Sequence, residues 1–146
     1  MADRLTKEQR AKCMRNIKSG DTLIEKKLRL ALWHKGYRYR KNYRRLPGKP
    51  DIVLPKYRIA IFCDSEFFHG KDWEDTLLPQ LMRGNNHEFW VRKISRNIIR
   101  DKEVNESLRK EGWIVLRFWA KEIKTSLTGC ITVIEEAISS KMKNIA

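Results

Sequence analysis

Apolar residues recur along this chain at two different periods, and the changes of period mark its elements. Ile24, Leu28, Ala31 and Leu32 stand at helical spacing behind Thr22-Leu23-Ile24-Glu25, a capping box, and Gly36 ends the run. A first capping box, Thr6-Lys7-Glu8-Gln9, opens a shorter helix to about residue 17, broken by Ser19-Gly20. Residues 37–41 read as a strand. Residues 42–50 form an Arg-rich loop with Pro47-Gly48 as its turn signal. Residues 51–54 and 58–63 read as short buried strands joined by a turn at Pro55-Lys56. The segment from 64 to about 86 is long enough for a working loop and has room for one helical turn.

The longest helix is expected over 87–110, with Phe89, Trp90, Ile94, Ile98, Val104 and Leu108 on its apolar face and Gly112 as its stop. Residues 113–119 follow as a β-prone strand, and 128–141 as an amphipathic helix with Ile131, Ile134 and Ile138 in line. The order α-α-β-β-β-α-β-α predicts an α/β domain, a mixed β-sheet flanked by helices. No repeat or linker divides it, so residues 1–146 are expected as one domain. Within it, 1–49 form a basic portion, 50–125 the core with the chemistry, and 126–146 the last helix.

Composition narrows the partners. Residues 1–49 hold sixteen Lys and Arg against four Asp and Glu, whereas 50–146 hold sixteen against fourteen. Nearly all of the net charge of +14 therefore lies in the first third. Such a stretch fits a polyanion, because neutralising phosphates releases counterions. No apolar run approaches a membrane span, so no membrane partner is expected. The start, Met1-Ala2-Asp3-Arg4, leads into a polar stretch without a signal core, and a cytoplasmic protein is expected. Cys13, Cys63 and Cys130 are odd in number and far apart, which reads as free thiols.

Candidate chemistry centres on two strand ends. Asp51 opens one strand and Asp64 closes the next, so a hairpin-like pair brings both carboxylates to one edge of the sheet. They then form a Mg²⁺ site, or merely cap a turn and end a strand. His69, in the loop beyond, is a general base for water or a surface histidine. Glu25 is an outer carboxylate that organises water or simply the third residue of a capping box. Over residues 37–45, five basic groups and three tyrosines interleave without an acid, and Lys49 extends the run. Arg38, Arg40, Lys41, Arg44, Arg45 and Lys49 are thus candidate phosphate contacts, while alternate strand positions send tyrosines to the core. Phe67, Phe68 and Trp73 either wedge between base pairs or cover the core.

Taken together, these stretches resemble the very short patch repair endonucleases, bacterial DNA mismatch nickases related to the PD-(D/E)xK nucleases. The resemblance runs from about Thr6 to Glu122 and is most specific at several places. These are Met14-Arg15-Asn16-Ile17, Asp21 to Lys26, Leu46 to Asp51, Tyr57-Arg58, Ile61-Phe62, Phe67-Phe68-His69, Glu88 to Ile94, Asn97, Arg100-Asp101, and Gly112 to Leu116. It implies a restriction-endonuclease-like fold and Mg²⁺-dependent hydrolysis of double-stranded DNA. It further implies Asp51 and the main-chain carbonyl of Cys63 as metal ligands, His69 as base, and Glu25 as a second-shell acid. Phe67, Phe68 and Trp90 would form the family's intercalating wedge, with the amino-terminal basic region wrapped around the duplex. A bacterial, nucleoid-associated monomer that works beside other DNA-repair proteins fits the same picture.

The chain departs from the family twice. Asp64 stands where a second active-site histidine is usual, which makes it a candidate metal ligand and Glu66 a further one. Glu66, Lys71, Trp73 and Lys121 occupy the positions of a structural zinc site and are a poor zinc set, so no structural zinc is expected. Asp64 also resembles the aspartate of a neighbouring zinc-free endonuclease group, which leaves restriction-associated or mobile-element relatives, or a non-catalytic DNA-binding protein, as alternatives.

Overall fold

A computed structural model of the protein describes residues 22–145; the helix expected near 6–17 and Cys13 lie outside the described residues. Helix α1 (Leu23–His34) starts where Thr22 Oγ1 accepts the Glu25 N–H at 3.5 Å. It stops at Gly36, whose φ of +89° suits glycine. The Tyr37 N–H folds back onto the Leu32 carbonyl at 3.1 Å. That closure shortens the strand expected over 37–41 to β1 (Arg40–Lys41). Its neighbour β2 (Ile52–Leu54) has only three residues, and the ladder between them holds just Arg40–Val53 and Lys41–Ile52. A 3₁₀ turn at Pro55–Tyr57 joins β2 to β3 (Ile59–Asp64).

The expected loop beyond β3 winds into a π turn, Trp73–Leu77, and the short helix α2 (Leu78–Met82). Helix α3 (His87–Lys110) then crosses to β4 (Ile114–Trp119). The sheet order is β1-β2-β3-β4, with the first two pairs antiparallel and β3–β4 parallel. Helix α4 (Ala120–Thr125) follows at once, its start held by Glu122 Oε1 accepting the Trp119 N–H at 3.0 Å. Six residues are too few for a periodic signal, so the sequence did not reveal it. Helix α5 (Leu127–Ile145) is the last element among the described residues.

Alternation along β3 divides the core. Ile59 and Ile61 pack with Leu28 and Leu32 of α1 and Ile131, Ile134 and Ile138 of α5. Ala60 and Phe62 pack with Val104 and Leu108 of α3. The residues of β3 are buried on both faces, as in a central strand. Its last residues therefore emerge from a rigid platform, with α1 on one side and α3 on the other.

Candidate active site

The loop before β2 turns sharply. Gly48 and Lys49 both adopt positive φ, +75° and +50°, and Pro50 is buried. Gly48 has no room for a side chain, since an added Cβ would lie 2.6 Å from Val104 Cγ1. This turn sets Asp51 against the end of β3, where its Oδ2 accepts the Cys63 N–H at 2.7 Å. The hairpin through Pro55–Tyr57 thus brings the two strand ends together. The Asp51 side chain also hydrogen-bonds Glu25, which is buried in the first turn of α1. Burial pushes the Asp51 carboxyl up to about 7; the Cys63 N–H opposes this, while the negative charges of Glu25 and Asp64 add to it. Burial likewise pushes the Cys63 thiol up, which disfavours the thiolate.

A second group forms around Asp64 and His69. Asp64 is buried, and Arg117 Nη1 reaches its Oδ2 at 3.1 Å. His69 Nε2 lies 3.7 Å from Asp64 Oδ1, and His69 Nδ1 lies 2.7 Å from Asp101 Oδ2. A carboxylate only accepts, so Nδ1 carries the hydrogen and Nε2 is left as the basic nitrogen. Burial pulls the imidazole's pKa down, but the Asp101 hydrogen bond and the charges of Asp64 and Asp101 outweigh it, and the net shift is upward. For Asp64 burial raises the carboxyl, against the pull of His69 and Arg117.

One cleft of about 660 Å³ is lined by Glu25, Lys49, Asp51, Cys63, Asp64 and His69, among others. The four residues singled out for chemistry therefore meet. Glu66 does not join them: its Oε1 accepts the Lys121 N–H of α4 at 2.7 Å. Lys71 sits over the Trp119 ring, 5.9 Å from its centre. Phe67 packs edge-on against Phe68 and Trp90, with ring centres 5.3 and 5.2 Å away, and Phe89 extends the cluster beyond Trp90. Phe67 and Phe89 are exposed. Arg38, Arg40, Lys41, Arg44 and Arg45 are also exposed, and among the described residues none has a carboxylate partner.

Asp101, Asn105 and Arg117 were not assigned roles from the sequence. A signal was present: Asn97, Asp101 and Asn105 recur every fourth residue on α3, a polar line beside its apolar face. Asn97 Nδ2 donates to the Phe68 carbonyl at 2.9 Å, and Asn105 Oδ1 accepts from Arg117 Nε at 2.8 Å.

Carboxylates crowded at the end of a central strand of an α/β sheet, beside an imidazole oriented by its own carboxylate, are a donor set suited to hydrolysis of a phosphodiester. Comparison with known proteins narrows the class. The family model described as DNA mismatch endonuclease Vsr matches residues 2–75. Type II nicking enzyme V.NmeDIP of Neisseria meningitidis serogroup C is 48% identical over 139 residues, 95% of this chain and 92% of that protein. Type II nicking enzyme V.HpaIIP of Haemophilus parainfluenzae is 46% identical over 83% of this chain and 84% of its own. The DNA mismatch endonuclease Vsr of Escherichia coli is 34% identical, over 98% of this chain and 86% of its own. The chain belongs to the DNA mismatch endonuclease Vsr family and is a DNA endonuclease. No helix among the described residues is long and apolar enough to cross a membrane.

Proposed function

We propose that this protein is a Mg²⁺-dependent endonuclease that nicks one strand of double-stranded DNA, with a mismatched pair as its first candidate target. The meeting of Glu25, Asp51, Asp64 and His69 in one cleft carries the reading. The donor set suits a hard cation. Asp51 and Glu25 offer carboxylate oxygens, and burial, with the charges of Glu25 and Asp64 beside it, raises Asp51 to about 7, a penalty on the carboxylate that a divalent ion relieves. Asp51 and the Cys63 carbonyl would hold the ion, and Glu25 would order its water. The bound ion would polarise a phosphoryl oxygen and acidify water.

The remaining work belongs to the side chains. His69 Nε2 takes the proton from the attacking water, and Asp101 holds the ring in the required tautomer through Nδ1. Asp64 lies on the imidazole side of the cleft and stabilises the ring's positive charge after proton transfer. Lys49, in the cleft wall, faces the charge that develops on the phosphate. The exposed cations from Arg38 to Arg45 contact the DNA backbone, and Phe67, Phe68 and Trp90 wedge into the base stack.

The test is nicking of a supercoiled plasmid and a panel of mismatched duplexes, in Mg²⁺ and in EDTA. Metal-dependent single-strand breaks are expected. Binding of duplex without cleavage of any substrate in Mg²⁺ or Mn²⁺ would refute the reading.

A further inference from the structure

Asp64, His69 and Asp101 place one ligand atom each within 4.8 Å of one another, a spacing that suits a metal ion. A guanidinium already occupies their company. Arg117 Nη1 lies 3.1 Å from Asp64 Oδ2 and 3.6 Å from Asp101 Oδ1. We propose that Arg117 is a positioning residue that stands in for a cation in this cluster and so holds both carboxylates that flank His69, Asp101 on its Nδ1 and Asp64 beside its Nε2. This rests on His69 acting as the base.

Three features keep the guanidinium in place. Its Nε donates to Asn105 at 2.8 Å, and its plane lies over the Phe62 ring, 4.0 Å from the centre. The parallel register sets Arg117 directly beside Phe62, and that ring is buried against α3. The side chain is therefore anchored by a strand, a helix and an aromatic face at once. One nitrogen, Nη1, faces both carboxylates while Nε is held by Asn105, so a permanent charge is fixed between the two acids, which a hydrated Mg²⁺ does less well. It also repels a divalent ion, so the cluster works without one. The metal of the reaction is then confined to the Asp51 side of the cleft.

The prediction concerns ion count as well as rate, on the full-length protein. Mn²⁺ binding followed by electron paramagnetic resonance should give the same number of ions for the parent and Asp101→Asn. Arg117→Met should bind one ion more, and Asp101→Asn in that background should remove it. Single-turnover nicking by Arg117→Met should fall roughly 10²-fold, the scale of a misplaced base, with duplex affinity within about 2-fold. Arg117→Lys, which keeps the charge but loses the Nε donor to Asn105, should fall between parent and Arg117→Met in rate. An ion lost from the parent on Asp101→Asn overturns the proposal, as does an Arg117→Met protein that nicks at the parental rate. The parent and Asp101→Asn comparison decides the matter even if Arg117→Met does not fold. Failure of every protein, parent included, to cleave DNA defeats the endonuclease reading, whereas the ion counts still decide whether Arg117 keeps a metal ion out of the cluster.

Discussion

Asp51 carries two opposed demands at the scale of a single residue. Burial and neighbouring carboxylates lift its carboxyl from 3.8 to about 7. Because the folded value lies above the unfolded one, the native state loses stability as pH rises from about 4 through 7. Asp51→Asn removes that loss. In EDTA at pH 8 the variant should therefore melt a few degrees higher than the parent, measured by thermal unfolding. With Mg²⁺ present the same change should lower nicking by roughly 10³-fold, as expected when several kcal/mol of transition-state stabilisation are lost. His69 has the matching pH signature. Its raised pKa adds stability that is full below the unfolded value of about 6.5 and fades as pH climbs through the folded one. A base must be neutral, so the nicking rate should rise with pH with a midpoint above 6.5, and Asp101→Asn should move that midpoint down. A pH–rate profile of both proteins checks the pair.

The loop between β3 and the π turn is the element that delivers His69, and packing holds it at several points. Glu66 joins it to α4, Asn97 joins it to α3, and Gly70, at φ +66°, lies against Ile98. Glu66→Ala should lower the nicking rate by roughly tenfold and leave duplex affinity nearly unchanged, because a loosened base is displaced but no phosphate contact is lost. Glu66→Gln, which keeps an accepting oxygen, should restore most of the rate. Gly70→Ala forces a Cβ to 2.5 Å from Ile98 Cδ1 in a left-handed conformation, so chemical unfolding should show about 1–3 kcal/mol of lost stability. Elements differed in how clearly the sequence announced them. Helix α3 is periodic over 24 residues, and its expected bounds match the observed His87–Lys110. Strand β1 is shorter than the 37–41 expected, because Tyr37 closes the end of α1 and only Ile52 and Val53 of β2 pair with what remains. Helix α4 is too short for a pattern and exists because Glu122 caps it at the end of β4.

The whole molecule carries a net charge of +14. Among the described residues Arg38, Arg40, Arg44 and Arg45 are exposed without a carboxylate partner, and such charges make binding to DNA salt-sensitive. Arg40→Ala and Arg44→Ala should each weaken binding to matched and mismatched duplexes alike and reduce the slope of log affinity against log salt by about one. Titration at several salt concentrations measures both effects. The sequence by itself determined the charge asymmetry, the long helices, the hairpin at Pro55 and the two acids at its open end. Each of these depends on residues close in the chain, through capping, periodicity or turn chemistry. It also brought His69 and Glu25 into view, through the resemblance of their surroundings. Only tertiary structure decided which partner each acid keeps. Asp51 turns to Glu25 and Cys63, Asp64 to Arg117 and His69, and Glu66 to α4. Asp101 and Arg117 join the site from α3 and β4 because a parallel strand pair and a crossover helix bring residues 37 and 53 positions beyond Asp64 against it. Such distances leave no local periodicity to read, since the contact is set by packing on both faces of β3.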